Sequence, residues 1–336
     1  MLKAAVIGVN NIGRLHCQHY SNHPDIQLVS VCDLLEERAA GIAEQFNTAY
    51  YTDVHEMLEK EDIDLVSVTT AGEENGSHHF APTVAAIEAG KDVMVEKPLS
   101  NNVEEARKMV EKAKARNVRL GCNLNHSFVP AARKGKEMIE KGDLGTLLFI
   151  NMKLTIQNPK DVSPWFHMRA LHPHSIDVMR NFGGEVKRVQ SFMIKAPGRQ
   201  IWSTVSINME FCSGAVGHLT GSYDMSRRHP IEYCEAAGDQ GRFVIDNVYE
   251  NFTFYPHERS EQTVLRNSIM TGLGSFHETI GRRLDRFIQQ VKEGAVPEEI
   301  EGSGADALAG LEVIEAAIQS QKSNGRVIDV RSCALH

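Results

Sequence analysis

Three short stretches of this 336-residue chain carry residue types that could do chemistry. The first is Gly8-Val9-Asn10-Asn11-Ile12-Gly13, which closes the apolar run KAAVIG and opens a helical pattern. In such a turn one glycine permits the sharp bend, a second lets backbone approach a pyrophosphate, and a third lets helix and strand pack closely. The helix N-terminus then offers free N–H groups to phosphates. Gly8 and Gly13 suit the first and third places. Asn10 stands in the second, and asparagine tolerates left-handed backbone better than most residues. Twenty residues after Gly13, Asp33 closes IQLVSVCD. A carboxylate there would hydrogen-bond both ribose hydroxyls of NAD and repel a 2′-phosphate. Its neighbours Leu34 and Leu35 are not basic, so NAD is favoured over NADP. The other reading of Asp33 is an N-cap for the helix LLEERAAGIAEQF.

The second stretch is Glu96-Lys97-Pro98, which closes the apolar run KDVMVE. A lysine at the C-terminal end of a buried parallel strand points toward the crevice where ligands bind in open α/β sheets. The third is SPWFHMRALHPHSIDVM, in which Trp165, His167, Arg169, His172, His174 and Asp177 are crowded together. It reads as a long loop feeding a helix that begins near residue 173. His174 and Asp177, three residues apart, would then share a helix face. His167, His172, His174 and Asp177 could supply metal ligands, but their spacing matches no standard signature and no cysteine joins them, so no metal is expected. Arg169 reads as a substrate clamp, and Trp165 as a wall of the cleft. Tyr223, Asp224 and Arg227 read better as a polar hairpin.

The elements that must position these residues follow two rhythms. Up to about residue 122, short apolar strands (KAAVIGV, IQLVSVCD, DLVSVTT, KDVMVE, VRLGC) alternate with helical patterns at 11–22, 34–46, 79–89 and 101–116. This is the pattern of βαβ units with a buried parallel sheet. Ser100 or Asn101 is the expected N-cap of the last of these helices. From residue 123 the period changes to two. After one helix, PAARKGKEMIEKG, come TLLFINMKLTIQ, EVKRVQSFMIK, STVSINMEF, GAVGHLTGSYD, IEYCEAAG, GRFVIDN and NFTFYP, with helices near 173–182, 275–293 and 303–320. The expectation is an α/β Rossmann domain over 1–122 and, over 123–336, an α+β domain with a large, mostly antiparallel sheet.

The rest of the chain excludes several function classes. Hydrophobic residues at 42% supply two cores, as the length suggests. A net charge of −8 without a recurring basic block argues against nucleic acid or an anionic membrane surface as partner. No stretch of about 18 apolar residues occurs, so no spanning segment is expected. The N-terminus has no charged-then-apolar leader, because Gly8 and Asn10 interrupt its only apolar run. Six scattered cysteines, none in a C-x-x-C pair, read as buried reduced thiols, and the expected location is cytoplasmic.

Taken together, the glycine turn, the AGK-strand-EKP segment, VRLGCNLNHSFVPA, the His174-x-x-Asp177 helix, the strand-rich second half and the closing GSGADALAGLEVIEAAIQSQKSNGRVIDV resemble the glucose–fructose oxidoreductase / inositol dehydrogenase family over nearly the full chain. The resemblance implies that Lys97 is the catalytic lysine, touching both the reacting hydroxyl and the nicotinamide, and that His174 is the general acid/base. It implies that Asp177 is the acidic residue one turn along, that His79 opens the helix before AGK, and that Asn123 lies near the substrate crevice. Gly8, Asn10, Asn11, Ile12, Gly13, Asp33, Thr70, His79, Glu96 and Lys97 are the expected NAD contacts. Lys97, Asn123, His126, Trp165, Arg169, His172, His174 and Asp177 are the expected substrate contacts. The chain departs from its relatives in three places. Ala170 replaces an Asp four residues before the histidine, Ser127 replaces an Arg, and TTAGEENGSHH replaces a proline-containing loop. His126, Arg169 and His172 are candidates to compensate.

The implied activity is hydride transfer between NAD and a secondary alcohol of a sugar, sugar acid or inositol-like polyol, by a homodimer or homotetramer. Two other classes fit the same residues. One is an NAD-retaining, redox-neutral glycosidase or epimerase acting through a transient keto-sugar. The other is a non-catalytic sugar or nucleotide sensor.

Overall fold

The computed structural model describes residues 1–330. They divide into two compact units, one of Met1–Asn123 with Ile280–Leu308, the other of Leu124–Thr279 with the segment from Ala309. The cut expected from the sequence was a single one after residue 122. The chain instead re-enters the first unit with Ile280–Leu308, because Ile280, Leu284, Phe287 and Ile288 are buried in the same core as Val6, Val31 and Met94. A helix carries no mark in its own sequence of which core it covers.

In the first unit β1 (Leu2–Ile7), α1 (Asn11–Asn22), β2 (Ile26–Cys32), α2 (Glu36–Phe46), β3 (Ala49–Tyr51), α3 (Val54–Lys60), β4 (Leu65–Val68), α4 (Phe80–Glu88), β5 (Asp92–Val95), α5 (Val103–Arg116) and β6 (Leu120–Cys122) alternate as the pattern requires. β3 and α3 are too short for periodicity to reveal. Among the described residues the six strands form one parallel sheet in the order β3-β2-β1-β4-β5-β6. Strand order reverses beside β1, and at such a switch point the loops leaving the strands' C-terminal ends part to form a crevice. Residues 8–13, Asp33, Thr69–Thr70 and Glu96–Lys97 all follow the C-terminal ends of these strands. The N-cap of α5 is Asn102, not Ser100 or Asn101: its Oδ1 accepts from Glu104 N at 2.8 Å and Glu105 N at 3.3 Å. Ser100 instead accepts from Asn102 N and donates to Glu105, bracing the same turn.

The second unit contains α6 (Pro130–Glu140), β7 (Leu147–Thr155), α7 (Phe166–Gly183), β8 (Val186–Ile194), β9 (Thr204–Phe211), β10 (Val216–Ser222), β11 (Glu232–Gly238), β12 (Gly241–Asp246), β13 (Asn251–Pro256) and β14 (Thr263–Arg266). The chain then runs through α8 (His277–Lys292) and α9 (Gly304–Lys322) to β15 (Ile328–Asp329). Among the described residues nine strands form one sheet, β14-β13-β12-β11-β7-β10-β9-β8-β15, antiparallel except for β7 with β10. Alternation along β8 buries Val186, Val189, Ser191 and Met193 and leaves Phe192 and Ile194 outward.

Two expectations are corrected here. SPWFHMRALHPHSIDVM is not a loop feeding a helix. It is helical from Phe166, with Pro173 inside, so His174 lies in mid-helix. The helix is buried on nearly all sides, which removes the one-sided apolar stripe that betrays a helix, and its interior proline reads as a break. The cysteines are reduced and buried at Cys17, Cys32, Cys122 and Cys234, but Cys212 is disulfide-bonded. It sits exposed just past the end of β9, outside the buried runs that suggested inert thiols. Cys333 lies outside the described residues. Among the described residues no helix is long and apolar enough to cross a membrane.

Candidate active site

The first unit builds a nucleotide cradle from the glycine turn upward. Gly8 has φ +87°, and a Cβ there would lie 2.8 Å from Thr70, so both conformation and space call for glycine. A Cβ on Gly13 would stand 2.1 Å from the Gly8 carbonyl oxygen. Asn10, the odd letter of the fingerprint, has φ −78° and ψ −161°, an ordinary extended conformation that needs no glycine. Asn10 makes no side-chain cap on α1, and α1 has no acidic residue in its first turn. Its N-terminal N–H groups, from Asn11 and Ile12 onward, therefore suit an anion.

Asp33 is buried. Its Oδ2 accepts from Val9 N at 3.0 Å and its Oδ1 from Leu35 N at 3.0 Å, while Arg38 Nη1 lies 3.3 Å from each oxygen. The carboxylate thus fixes both the glycine turn and the entry to α2, whose N-cap is Leu35. Gly8, Asn10, Asp33, Arg38 and Thr70 line one cavity of about 920 Å³ within this unit. Together the conformation of Gly8, the space reserved at Gly13, the unfilled end of α1 and the acid at the end of β2 fit NAD. We expect Gly13→Ala to destabilise the protein by about 1–3 kcal/mol through overpacking. The rise in Tm that NAD produces should shrink with it, as melts with and without cofactor would show. An unchanged NAD-dependent rise would contradict this use of the turn.

Thr69 and Thr70 hold this cradle from β4. Thr69 donates to the Gly8 carbonyl at 2.6 Å, and Thr70 donates to the His78 carbonyl at 2.7 Å. His79 is buried and its Nδ1 donates to the Pro98 carbonyl at 2.7 Å, so it ties the α4 entry to the segment after β5. Burial lowers the His79 pKa, more than its backbone hydrogen bonds raise it. Lys97 is half-buried just past β5. Burial lowers its ammonium pKa, and the neighbouring charges of Glu96 and Cys122 oppose that. The buried Glu96 accepts from His16 Nε2 at 3.1 Å and from Asn123 Nδ2 at 2.5 Å. Thr69, Arg38 and His16 were not singled out from the sequence. Only the helical register of His16, facing the sheet, could have flagged one of them.

In the second unit His174, His126 and Asp177 come together. The rings of His126 and His174 stack, with centroids 4.1 Å apart and planes 16° from parallel. His126, in the 3-10 turn Asn125–Phe128, donates from Nδ1 to Glu232 Oε2 at 2.6 Å, with both groups buried. Ser127 donates to the Asp177 carboxylate. The other expected substrate residues of this unit have partners of their own. Arg169 bonds Glu315 at 3.4 Å. Trp165 stacks on Trp202 at 5.9 Å, with the Lys322 ammonium 5.4 Å from its ring.

His172 belongs to a different buried cluster, because two residues along a helix turn a side chain to the opposite face. The hydrogen bonds fix its tautomers. The Trp202 carbonyl can only accept, so His167 Nδ1 donates to it at 3.2 Å. His167 Nε2 then accepts from His172 Nε2 at 3.1 Å, and His172 Nδ1 accepts from Ser175 at 3.1 Å. Both rings are neutral. Burial pushes His167 down to about 3 and His172 well below its ordinary value. In the unfolded chain both take up protons near pH ~6.5. The unfolded state then binds more protons, so stability falls as pH drops from about 6.5 toward 3. Urea midpoints between about pH 7 and pH 4 should decline more gently in His172→Gln than in the parent protein. Identical slopes would show that the pair does not titrate on unfolding. Among the described residues no group of three or more His, Cys, Asp or Glu could hold a metal ion.

The chain and its fold have counterparts among known proteins. A family model described as an oxidoreductase family with an NAD-binding Rossmann fold matches residues 2–124. The GFO/IDH/MocA C-terminal domain matches residues 132–244. The chain is 27% identical over 313 residues to a myo-inositol 2-dehydrogenase of Thermotoga maritima, covering 88% of this chain and 90% of that one. It is 26% identical to the scyllo-inositol 2-dehydrogenase (NAD(+)) of Bacillus subtilis, covering 98% and 97%. The solved structure of a levoglucosan dehydrogenase with NADH and levoglucosan shares the fold at a TM-score of 0.87, with 21% identity over 98% of this chain and 99% of that one. Two consecutive domains of one family, together with relatives matched almost end to end, settle the assignment: the chain belongs to the glucose–fructose oxidoreductase / inositol dehydrogenase (GFO/IDH/MocA) family and is an NAD-dependent dehydrogenase acting on CH–OH groups.

Proposed function

We propose that the protein oxidises a secondary alcohol of an inositol-like polyol, sugar or sugar acid, with Lys97 and His174 as its catalytic pair. The observation that carries this reading is the placement of Lys97. It follows β5 in the unit that holds the Gly8–Gly13 turn and Asp33, half-buried, with an ammonium pKa lowered by burial. Lys97 would hold the substrate oxygen and stabilise the developing alkoxide in a site from which water is excluded. The His174 imidazole would take the hydroxyl proton as general base. NAD, when bound, supplies the hydride acceptor. The glycine turn and Asp33 would orient it, and Glu96 and Asn123 would brace Lys97. His126, held by Glu232 and stacked on His174, and Asp177, held by Ser127, would line the substrate side in place of the acid missing at Ala170.

The first unit is assigned to NAD and the second to substrate and self-association. The outward Phe192 and Ile194 on β8, with Leu148 on β7 and Val216 on β10 exposed in the same sheet, support a homodimer or homotetramer, which light scattering after size exclusion would measure. The substrate class rests on the inositol dehydrogenases among the relatives. The test is a panel of inositols, sugars and sugar acids with NAD and with NADP, followed by absorbance of the reduced cofactor. Net NADH release on at least one polyol is expected. Turnover without NADH release would favour a redox-neutral reaction, and binding without turnover a sensor.

A further inference from the structure

A buried chain of polar groups runs beneath Lys97 from α1 to β5. Tyr20 Oη lies 2.6 Å from Ser67 Oγ, and Ser67 Oγ lies 2.9 Å from His16 Nδ1. His16 Nε2 lies 3.1 Å from Glu96 Oε1. A carboxylate can only accept, so His16 Nε2 donates. Ser67 can then donate to His16 Nδ1 and accept from Tyr20, which satisfies every member of the chain with a neutral imidazole. Glu96 Oε1 also accepts from Asn123, and Glu96 Oε2 accepts from Lys97 N at 3.3 Å. Tyr20, His16 and Ser67 are fully buried and Glu96 nearly so.

Such a network is costly unless complete, and an isolated buried carboxylate would take up a proton instead. Here burial acts to raise the Glu96 pKa, but the hydrogen bond from His16, the charge of Lys97 and the bond from Asn123 outweigh it and hold the carboxyl below its ordinary range. The carboxylate thereby stays ionised one residue from Lys97. Glu96, just past β5, and Cys122 on β6 are titratable groups that act on Lys97. His16 and Tyr20 on α1 face Glu96, and the buried Arg283 on α8 donates to the Cys122 carbonyl at 3.1 Å. Three partners aimed at one carboxylate leave it no freedom to turn toward a ligand. So held, it can act through its neighbour.

We propose that His16 and Glu96 are positioning residues that together set the charge state of Lys97: His16 keeps the Glu96 carboxylate ionised and fixed, and that carboxylate keeps the half-buried Lys97 side chain protonated. The inference rests on the reading of Lys97 as catalytic, but its test does not.

The test is competitive acetylation of the full-length protein across pH, with the Lys97 peptide quantified by mass spectrometry. The midpoint of Lys97 reactivity reports its ionisation without substrate or turnover. Glu96→Gln preserves shape and the contact from Asn123 while removing the charge. It should move the midpoint down by roughly one to two pH units, with a matching rise in labelling at neutral pH. His16→Ala should move it in the same direction but less. His16→Gln, which keeps a donor for Glu96, should restore it. Should Glu96→Gln fail to fold, the two His16 variants still decide the matter. Equal midpoints in the parent protein, Glu96→Gln and His16→Ala would overturn the inference, as would equal displacement by His16→Ala and His16→Gln, which would assign the effect to lost packing. If Lys97→Met were fully active while the midpoints moved as expected, the catalytic reading would fail and the coupling of His16, Glu96 and Lys97 would stand.

Discussion

Lys97→Met should lower kcat/KM for the best substrate of the panel by roughly 10²–10⁴-fold while leaving NAD binding intact. Methionine keeps most of the apolar stem and removes only the charge, so packing around the half-buried side chain is little changed. The size of the effect follows from the timing of the charge. Negative charge develops on the substrate oxygen on the way to the transition state, so an ammonium held against it stabilises that state more than the neutral ground state. Lys97→Arg should not restore activity, because a planar fork does not replace a compact point charge at the end of β5. Steady-state kinetics with the polyol panel, alongside calorimetry with NAD, checks both halves. Near-native turnover in Lys97→Met with an unchanged fold would end the assignment. His174→Gln should fall by a similar factor, because the proton would then have to leave to water.

The second large effect is expected at Asp33. Its oxygens serve the Val9 and Leu35 amides and the Arg38 guanidinium, and the carboxylate borders the cavity that the glycine turn also lines. Asp33→Ser releases Arg38 and, if the carboxylate accepts from the ribose hydroxyls as proposed, removes that charged acceptor. With charge-assisted hydrogen bonds worth about 1.5–3 kcal/mol each, NAD affinity should fall by roughly ten- to hundredfold. NADP should gain relative to NAD, since the repelling carboxylate is gone and Arg38 is free to meet a 2′-phosphate. Calorimetric Kd values for both cofactors in both proteins test this. An unchanged ratio of the two would show that Asp33 serves only the turn and the start of α2.

Asp33 also shows how far local sequence could reach. Its two readings, ribose acceptor and helix cap, looked like alternatives, yet in the fold one carboxylate braces both the glycine turn and the α2 entry while bordering the cavity. The same limit appears at Asn102. Ser100 and Asn101 both look suited to cap α5, and the backbone geometry chooses neither but Asn102. Along 166–183 the error was larger. A proline and a crowd of histidines read as a loop, whereas the segment is a helix buried on most sides, without the one-sided apolar stripe that marks a helix in sequence.

The sequence by itself determined the parallel sheet, the mostly antiparallel sheet that follows, the glycine turn, the acid at the end of β2 and the lysine at the end of β5. These depend on period, on residue type and on short spacings, all properties of contiguous chain. The tertiary structure alone decided which distant side chains meet. It joined His16 to Glu96 across 80 residues, His126 to Glu232 across 106 and Ser127 to Asp177 across 50, and it separated His172 from His174, its near neighbour in sequence. It also returned Ile280–Leu308 to the first unit's core. The physical reason is that burial and hydrogen bonding are settled by packing between elements. Periodicity shows that a face is covered, but not what covers it.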